Sequence, residues 1–138
     1  MAKRFRITIL RGAAPPASVQ GDINRELQWF CTSLGLVGNR DRNLSTYRIF
    51  VTLLKARQKH QLLSSDAIAT ETALNRATVI HHLNKLASSG LIQEEKERYG
   101  LAVDSMEDLV KHLQAEIERS MRELEQVSKR IDERLGLR

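Results

Sequence analysis

Apolar residues recur along the chain with two different periods. Phe5, Ile7 and Ile9 alternate with Arg4, Arg6 and Thr8, which is the two-residue period of a strand. Gly12 to Gly21, with Pro15-Pro16 inside, reads as a linker. From Ile23 the period lengthens: Ile23, Leu27, Phe30, Cys31 and Leu34 recur at helical spacing, and Gly35 supplies a stop. The polar run 38–43 predicts a loop. A second helix is expected from about Leu44 to Arg57, with Tyr47, Phe50, Val51 and Leu54 as its core stripe. Its end carries Lys55, Arg57 and Lys59. These suit the negative end of a helix dipole and are equally placed for phosphate contact.

The next stretch changes element every few residues. Ser64 is a natural N-cap for a short helix through about Glu71, with Ile68 and Ala69 as its core residues. Thr72-Ala73-Leu74 makes a turn. Asn75 caps a further helix from Arg76 to about Ser88, in which Val79, Leu83 and Leu86 at i, i+4, i+7 must face inward. Gly90 ends it, because a glycine tolerates the positive φ that closes a helix. Leu91-Ile92 starts a strand, Lys96-Glu97 turns it, and Tyr99, Leu101 and Val103 alternate back.

Asp104 with Glu107 predicts a capping box for one long final helix ending at Gly136. About 31 residues at 1.5 Å each give ~46 Å. Met106, Val110, Leu113, Ile117, Met121, Leu124, Val127, Ile131 and Leu135 form its apolar stripe, with a mean step near 3.6 residues. Such a helix outruns a small domain. Its stripe has two ways to be covered: by a second copy of itself, or by the 23–34 helix. The first predicts a homodimer with Val110, Leu113, Ile117, Met121, Leu124, Val127, Ile131 and Leu135 at the interface.

The organisation that results is mainly α with a small β-hairpin. Residues 1–21 form an N-terminal strand and linker, 22–103 a compact domain, and 104–138 the long helix. Composition narrows the classes of function. The 138 residues carry a net charge of +5, which favours an anionic partner without specifying one. The distribution says more: residues 1–60 hold 11 Lys/Arg against 3 Asp/Glu, whereas the remainder is near neutral or slightly acidic. The one cysteine, Cys31, makes neither an internal disulfide nor a zinc site alone. Beside Trp29 and Phe30 it reads as a small buried hydrophobe, with a redox-sensing thiol as the alternative. No apolar run approaches the ~18 residues of a membrane span, and the N-terminus is not a secretory signal, so a cytoplasmic location is expected. No glycine-rich phosphate loop, clustered carboxylates or nucleophile with a His partner suggests an enzyme, and no cofactor is implied. His81 and His82 point about 100° apart on a helix and do not chelate one metal together.

Capped helix, turn, second helix, glycine stop and hairpin, in that order, outline a winged helix-turn-helix. LSSDAIATETALNRATVIHHLNKLASSGLI followed by ERYGL resembles the winged-helix transcriptional regulators of the broad ArsR/MarR-like group. It is most like the small archaeal-type members, in which a YRIF-bearing helix (here Tyr47-Arg48-Ile49-Phe50) precedes the motif and a long C-terminal helix follows. The resemblance covers roughly residues 34–137. It implies a dimeric, sequence-specific regulator of transcription that binds double-stranded DNA, with Arg76, Thr78 and His81 on the groove-facing helix.

In such a module the N-terminal part of the second helix reaches base edges. With Val79, Leu83 and Leu86 turned inward, the other face carries Arg76, Ala77, Thr78, Ile80, His81, Asn84 and Lys85. Arg76 can donate two hydrogen bonds to guanine, Thr78 can bond a base or touch a thymine methyl, and Asn84 can bond adenine. Ala77 and Ile80 offer small apolar contacts. His82 and Lys85 suit phosphates, which set register without reading sequence. Lys96 and Arg98 are the wing's candidate contacts. Three departures stand out. Ala73 occupies a turn position where glycine is usual. Glu94, Glu95 and Glu97 make the wing acidic, which opposes insertion into a groove. The thiolate ligands of ArsR-type metal sensors are missing, and no effector site is evident. The acidic wing and the apolar helix leave a second reading open, a winged-helix adaptor that binds protein and no specific operator.

Overall fold

The computed structural model describes residues 21–35 and 44–137. The expected strand at 4–10, most of the linker and the polar loop at 38–43 lie outside them. Among the described residues eight elements follow in order: α1 (Ile23–Ser33), α2 (Ser45–Gln58), β1 (Leu63–Ser64), α3 (Ser65–Thr72), α4 (Arg76–Ser88), β2 (Ile92–Glu95), β3 (Arg98–Leu101) and α5 (Met106–Leu135). They make a helix-rich protein with one small antiparallel sheet of order β1-β3-β2. The chain divides between Ala102 and Val103 into two compact units.

In the first unit α2 lies against α3, α4 and β3. The core gathers around Ile49, Phe50 and Leu53 of α2, Ile68 of α3, Val79, Leu83 and Leu86 of α4, and Leu91, Ile92 and Leu101 beside and within the sheet. Each such side chain removed from water contributes roughly 1.5–3 kcal/mol. The α2 stripe differs from its predicted phase. Tyr47 and Phe50 are buried as expected, but Ile49, Leu53 and Ala56 complete the core, while Val51 and Leu54 are only half-buried. Because α2 meets neighbours on several sides, even Ser45 and Thr46 at its start are buried. In α3 the second buried residue is Thr72, not Ala69. Thr72 keeps its hydroxyl satisfied by donating to the Ile68 carbonyl at 2.7 Å.

Cys31 is fully buried in α1, and burial pushes its thiol up from 9.0 to about 12. Tyr47, whose hydroxyl donates to the Asn24 carbonyl at 3.3 Å, ties α2 to α1. The hairpin is shorter than the alternation suggested. Its strands are Ile92–Glu95 and Arg98–Leu101, so Leu91 and Val103 lie outside the ladder although both are buried. The sheet's third strand has no periodic signal, since β1 is only two residues, pairing Leu63 with Tyr99 and Ser64 with Arg98.

The second unit is dominated by α5. The Asp104–Glu107 box is displaced by one residue. Ser105 is the N-cap and accepts from the Asp108 N–H at 3.0 Å, while the Asp108 carboxylate accepts from the Asp104 N–H at 3.2 Å. Gly136, at φ +65°, closes the helix where expected. Leu109 and Leu113 are buried, whereas every apolar stripe residue from Ile117 onward is exposed, between 43% at Val127 and 68% at Leu135. Leu109 was absent from the predicted stripe. Leu113, buried in the single chain, drops out of the surface available to a partner.

Candidate nucleic-acid interface

The expected DNA-facing residues converge on α4 and the hairpin that follows it. Two caps set the start of the helices. Ser64 accepts from the Ala67 N–H at 3.1 Å, and Asn75 accepts from the Thr78 N–H at 2.8 Å. Between the helices the chain reverses at Ala73, which adopts φ +58°. That left-handed conformation costs an L-residue with a Cβ about 1–2 kcal/mol, which is why glycine is the usual occupant.

With Val79, Leu83 and Leu86 in the core, α4 cannot rotate without exposing them. Steps of 100° per residue then lay Arg76, Ile80 and Asn84 in one row and Ala77, His81, Lys85 and Ser88 in the next. All seven are exposed, so they form one continuous band. Thr78 and His82 sit on the band's flank and are half-buried. Towards the C-terminal end, His81, Asn84, Lys85, Ser88 and Ser89 line an open hollow. The band can donate hydrogen bonds from a guanidinium, an amide, an imidazole and an ammonium, interleaved with the small apolar Ala77 and the branched Ile80.

Three polar links from outside the band hold it in place. The Arg48 guanidinium of α2 donates to the Thr72 carbonyl, capping the carbonyl end of α3 just before the turn. Thr46 Oγ1 of α2 lies 2.9 Å from His82 Nδ1, so one ring nitrogen of His82 is committed inside the fold. This reduces the phosphate role expected of His82 to what its other nitrogen can reach. Asp66 of α3 approaches Arg76 Nε at 3.5 Å, with both side chains mostly exposed. An ion pair in that setting is worth about 0–1 kcal/mol, too little to keep the guanidinium from a better partner. The helical period marks the band but not these links, because each joins residues at least 10 positions apart through the fold.

The hairpin presents Glu94, Glu95, Lys96, Glu97 and Arg98, all exposed. The register sets Glu95 opposite Arg98 and Glu94 opposite Tyr99. Burial, then the carboxylates of Glu94 and Glu97, push the Tyr99 hydroxyl above its ordinary value of 10.0. Three carboxylates around two cations make this tip acidic, so Lys96 and Arg98 have acidic neighbours rather than a basic surface. On α2, Lys55 and Lys59 are exposed beside a hollow that also takes in Gln61 and Glu71. Among the described residues no group of three His, Cys, Asp or Glu side chains is placed to hold a metal ion. No helix among them is long and apolar enough to cross a membrane. Comparison with protein-family models, with curated proteins and with solved structures returned no match.

Proposed function

We propose that the protein is a dimeric, sequence-specific regulator of transcription that binds double-stranded DNA, built as a winged helix-turn-helix with α4 as its recognition helix. The observation that carries this reading is the band on α4. One face is locked into the core by Val79, Leu83 and Leu86. The opposite face is exposed along its whole length, and its residue types match base edges and phosphates. Arg76, Ala77 and Ile80 lie at the N-terminal end, where such helices reach bases. His81, Asn84, Lys85 and Ser88 lie further along, and Thr78 contributes from the flank. Lys55 and Lys59 add cations at the end of α2. The wing supports the body of the reader and contributes little contact of its own, because its carboxylates repel phosphates.

Selection of bound duplexes from a random pool at physiological salt tests the proposal. A two-part site with a fixed spacing is the expected result. The apparent affinity should fall steeply with salt, with log K dropping by ~0.9 per log unit for each phosphate neutralised. Failure to bind any duplex at low salt would remove the reading. It would favour the adaptor instead, for which the acidic tip at Glu94, Glu95 and Glu97 is the specific support.

A further inference from the structure

The distal half of α5 carries a seven-residue repeat when Ser128 is counted in place of its neighbour Val127. Ile117, Leu124 and Ile131 recur every seven residues, and so do Met121, Ser128 and Leu135. Together they step 4-3-4-3-4, which is the seam of a heptad repeat. Ile117, Leu124 and Ile131 take its d positions, and Met121, Ser128 and Leu135 its a positions. Five of the six are large, apolar and exposed. The sixth, Ser128, is accommodated without a partner from elsewhere, since its hydroxyl folds back to donate to the Glu125 carbonyl at 2.6 Å. A seam of this kind is complementary to another copy of itself.

The flanks of the seam discriminate between the two ways of pairing. The e positions are Glu118, Glu125 and Asp132, all acidic, and the g positions are Ser120, Val127 and Arg134. In an antiparallel pair e faces e′, which sets Glu118 against Asp132 and Glu125 against Glu125 of the other copy, an uninterrupted acidic column. In a parallel pair e faces the g′ position five residues earlier, so Glu118 falls opposite Leu113, Glu125 opposite Ser120 and Asp132 opposite Val127, and no like charges are opposed. Like charges directly across an interface are unfavourable, and Lys129, 3.3 Å from Glu125 on the same helix, offsets only one of the three.

We infer that α5 is a parallel, in-register coiled coil between two copies of this chain, running from Ile117 to Leu135. This deepens the dimer in the functional reading by fixing its orientation, and it brings the two N-terminal ends of α5 together.

Variants of the full chain with one added cysteine test it. Leu135→Cys and Met121→Cys are made separately and oxidised, with wild type as control. The buried Cys31, whose thiol is pushed up to about 12, should give the control no cross-link. In the parallel pair each new thiol meets its own copy, so both variants become covalent dimers. In an antiparallel pair centred near residue 126 the two Cα atoms at position 135 stand ~27 Å apart and the two at position 121 ~15 Å apart, beyond the ~7 Å that a disulfide spans. Cross-linking only when Leu135→Cys is mixed with Ile117→Cys overturns the orientation. A monomer mass by light scattering, or a mass of four copies, overturns the pairing itself. None of these readouts uses DNA. A parallel dimer that binds no duplex would therefore count against the functional reading and leave this one intact.

Discussion

Arg76 is where the reading of sequence and the packing of the fold meet. Its guanidinium has a carboxylate, Asp66, within 3.5 Å, and it also stands on the exposed face at the start of α4. A weak, solvated pair of this kind holds the side chain near one orientation and yields to a bidentate partner. Arg76→Ala should therefore cost ~1–3 kcal/mol on the preferred duplex and relax the choice at one base position. Equal losses on preferred and random duplexes would show that Arg76 meets only phosphate. Cys31 is the opposite kind of residue, with no role at the surface. Its thiol is held protonated by burial, from 9.0 up to about 12. The unfolded chain loses that proton first, so between these values it binds fewer protons than the native state. Stability contributed by the neutral thiol is thus complete below about pH 9 and declines as pH rises towards about 12. A thiol reagent at about pH 8, below both values, should label Cys31 only as fast as the chain unfolds, and immediate labelling of the native protein would contradict its burial.

At the scale of elements, the turn at Ala73 and the hairpin tip are occupied by residues whose backbone would suit glycine better. Ala73 between α3 and α4 has φ +58°, and Lys96 and Glu97 at the hairpin tip have φ +51° and +64°. Two successive positive values define the hairpin turn that Asn-Gly usually makes. Ala73→Gly or Glu97→Gly should each raise stability by about 0.5–1 kcal/mol, since the relieved left-handed strain exceeds the entropy glycine adds to the unfolded chain. Unchanged denaturation midpoints would mean the flanking structure already absorbs the strain. The positions of both turns were legible from the sequence, as were the caps Ser64 and Asn75 and the stops Gly90 and Gly136, because each is a local preference of one residue. The phase of α2 was not. A helix enclosed on several sides shows no single stripe, so Ile49 and Leu53 could not be separated from Val51 and Leu54 by period alone. The links from Arg48 to Thr72 and from Thr46 to His82 were invisible for a related reason. They bridge 24 and 36 positions, and nothing in the local pattern records a partner so far away.

For the whole molecule, the apolar stripe of α5 separates into two populations that the sequence presented as one. Leu109 and Leu113 are satisfied within a single chain, whereas Ile117, Met121, Leu124, Val127, Ile131 and Leu135 are left in water. A heptad seam of fewer than three full repeats is marginal alone, so its pairing is sensitive to single residues. Changing Leu124 and Ile131 to Glu places two carboxylates per chain in the seam, where in the proposed parallel pair each also faces its symmetry copy. The proposed dimer should dissociate, while the buried residues of the other unit are untouched and its cooperative unfolding persists. If two recognition helices must engage a two-part site together, affinity for that site should fall to the level of one half-site, because the linked second contact is lost. Affinity for a single half-site should stay as it was. Light scattering and duplex titration on the same preparation separate the outcomes. A mass unchanged from wild type would place the interface elsewhere on the protein. A monomer that still binds the full site at wild-type affinity would show that α5 pairs the chains without coupling their contacts to DNA.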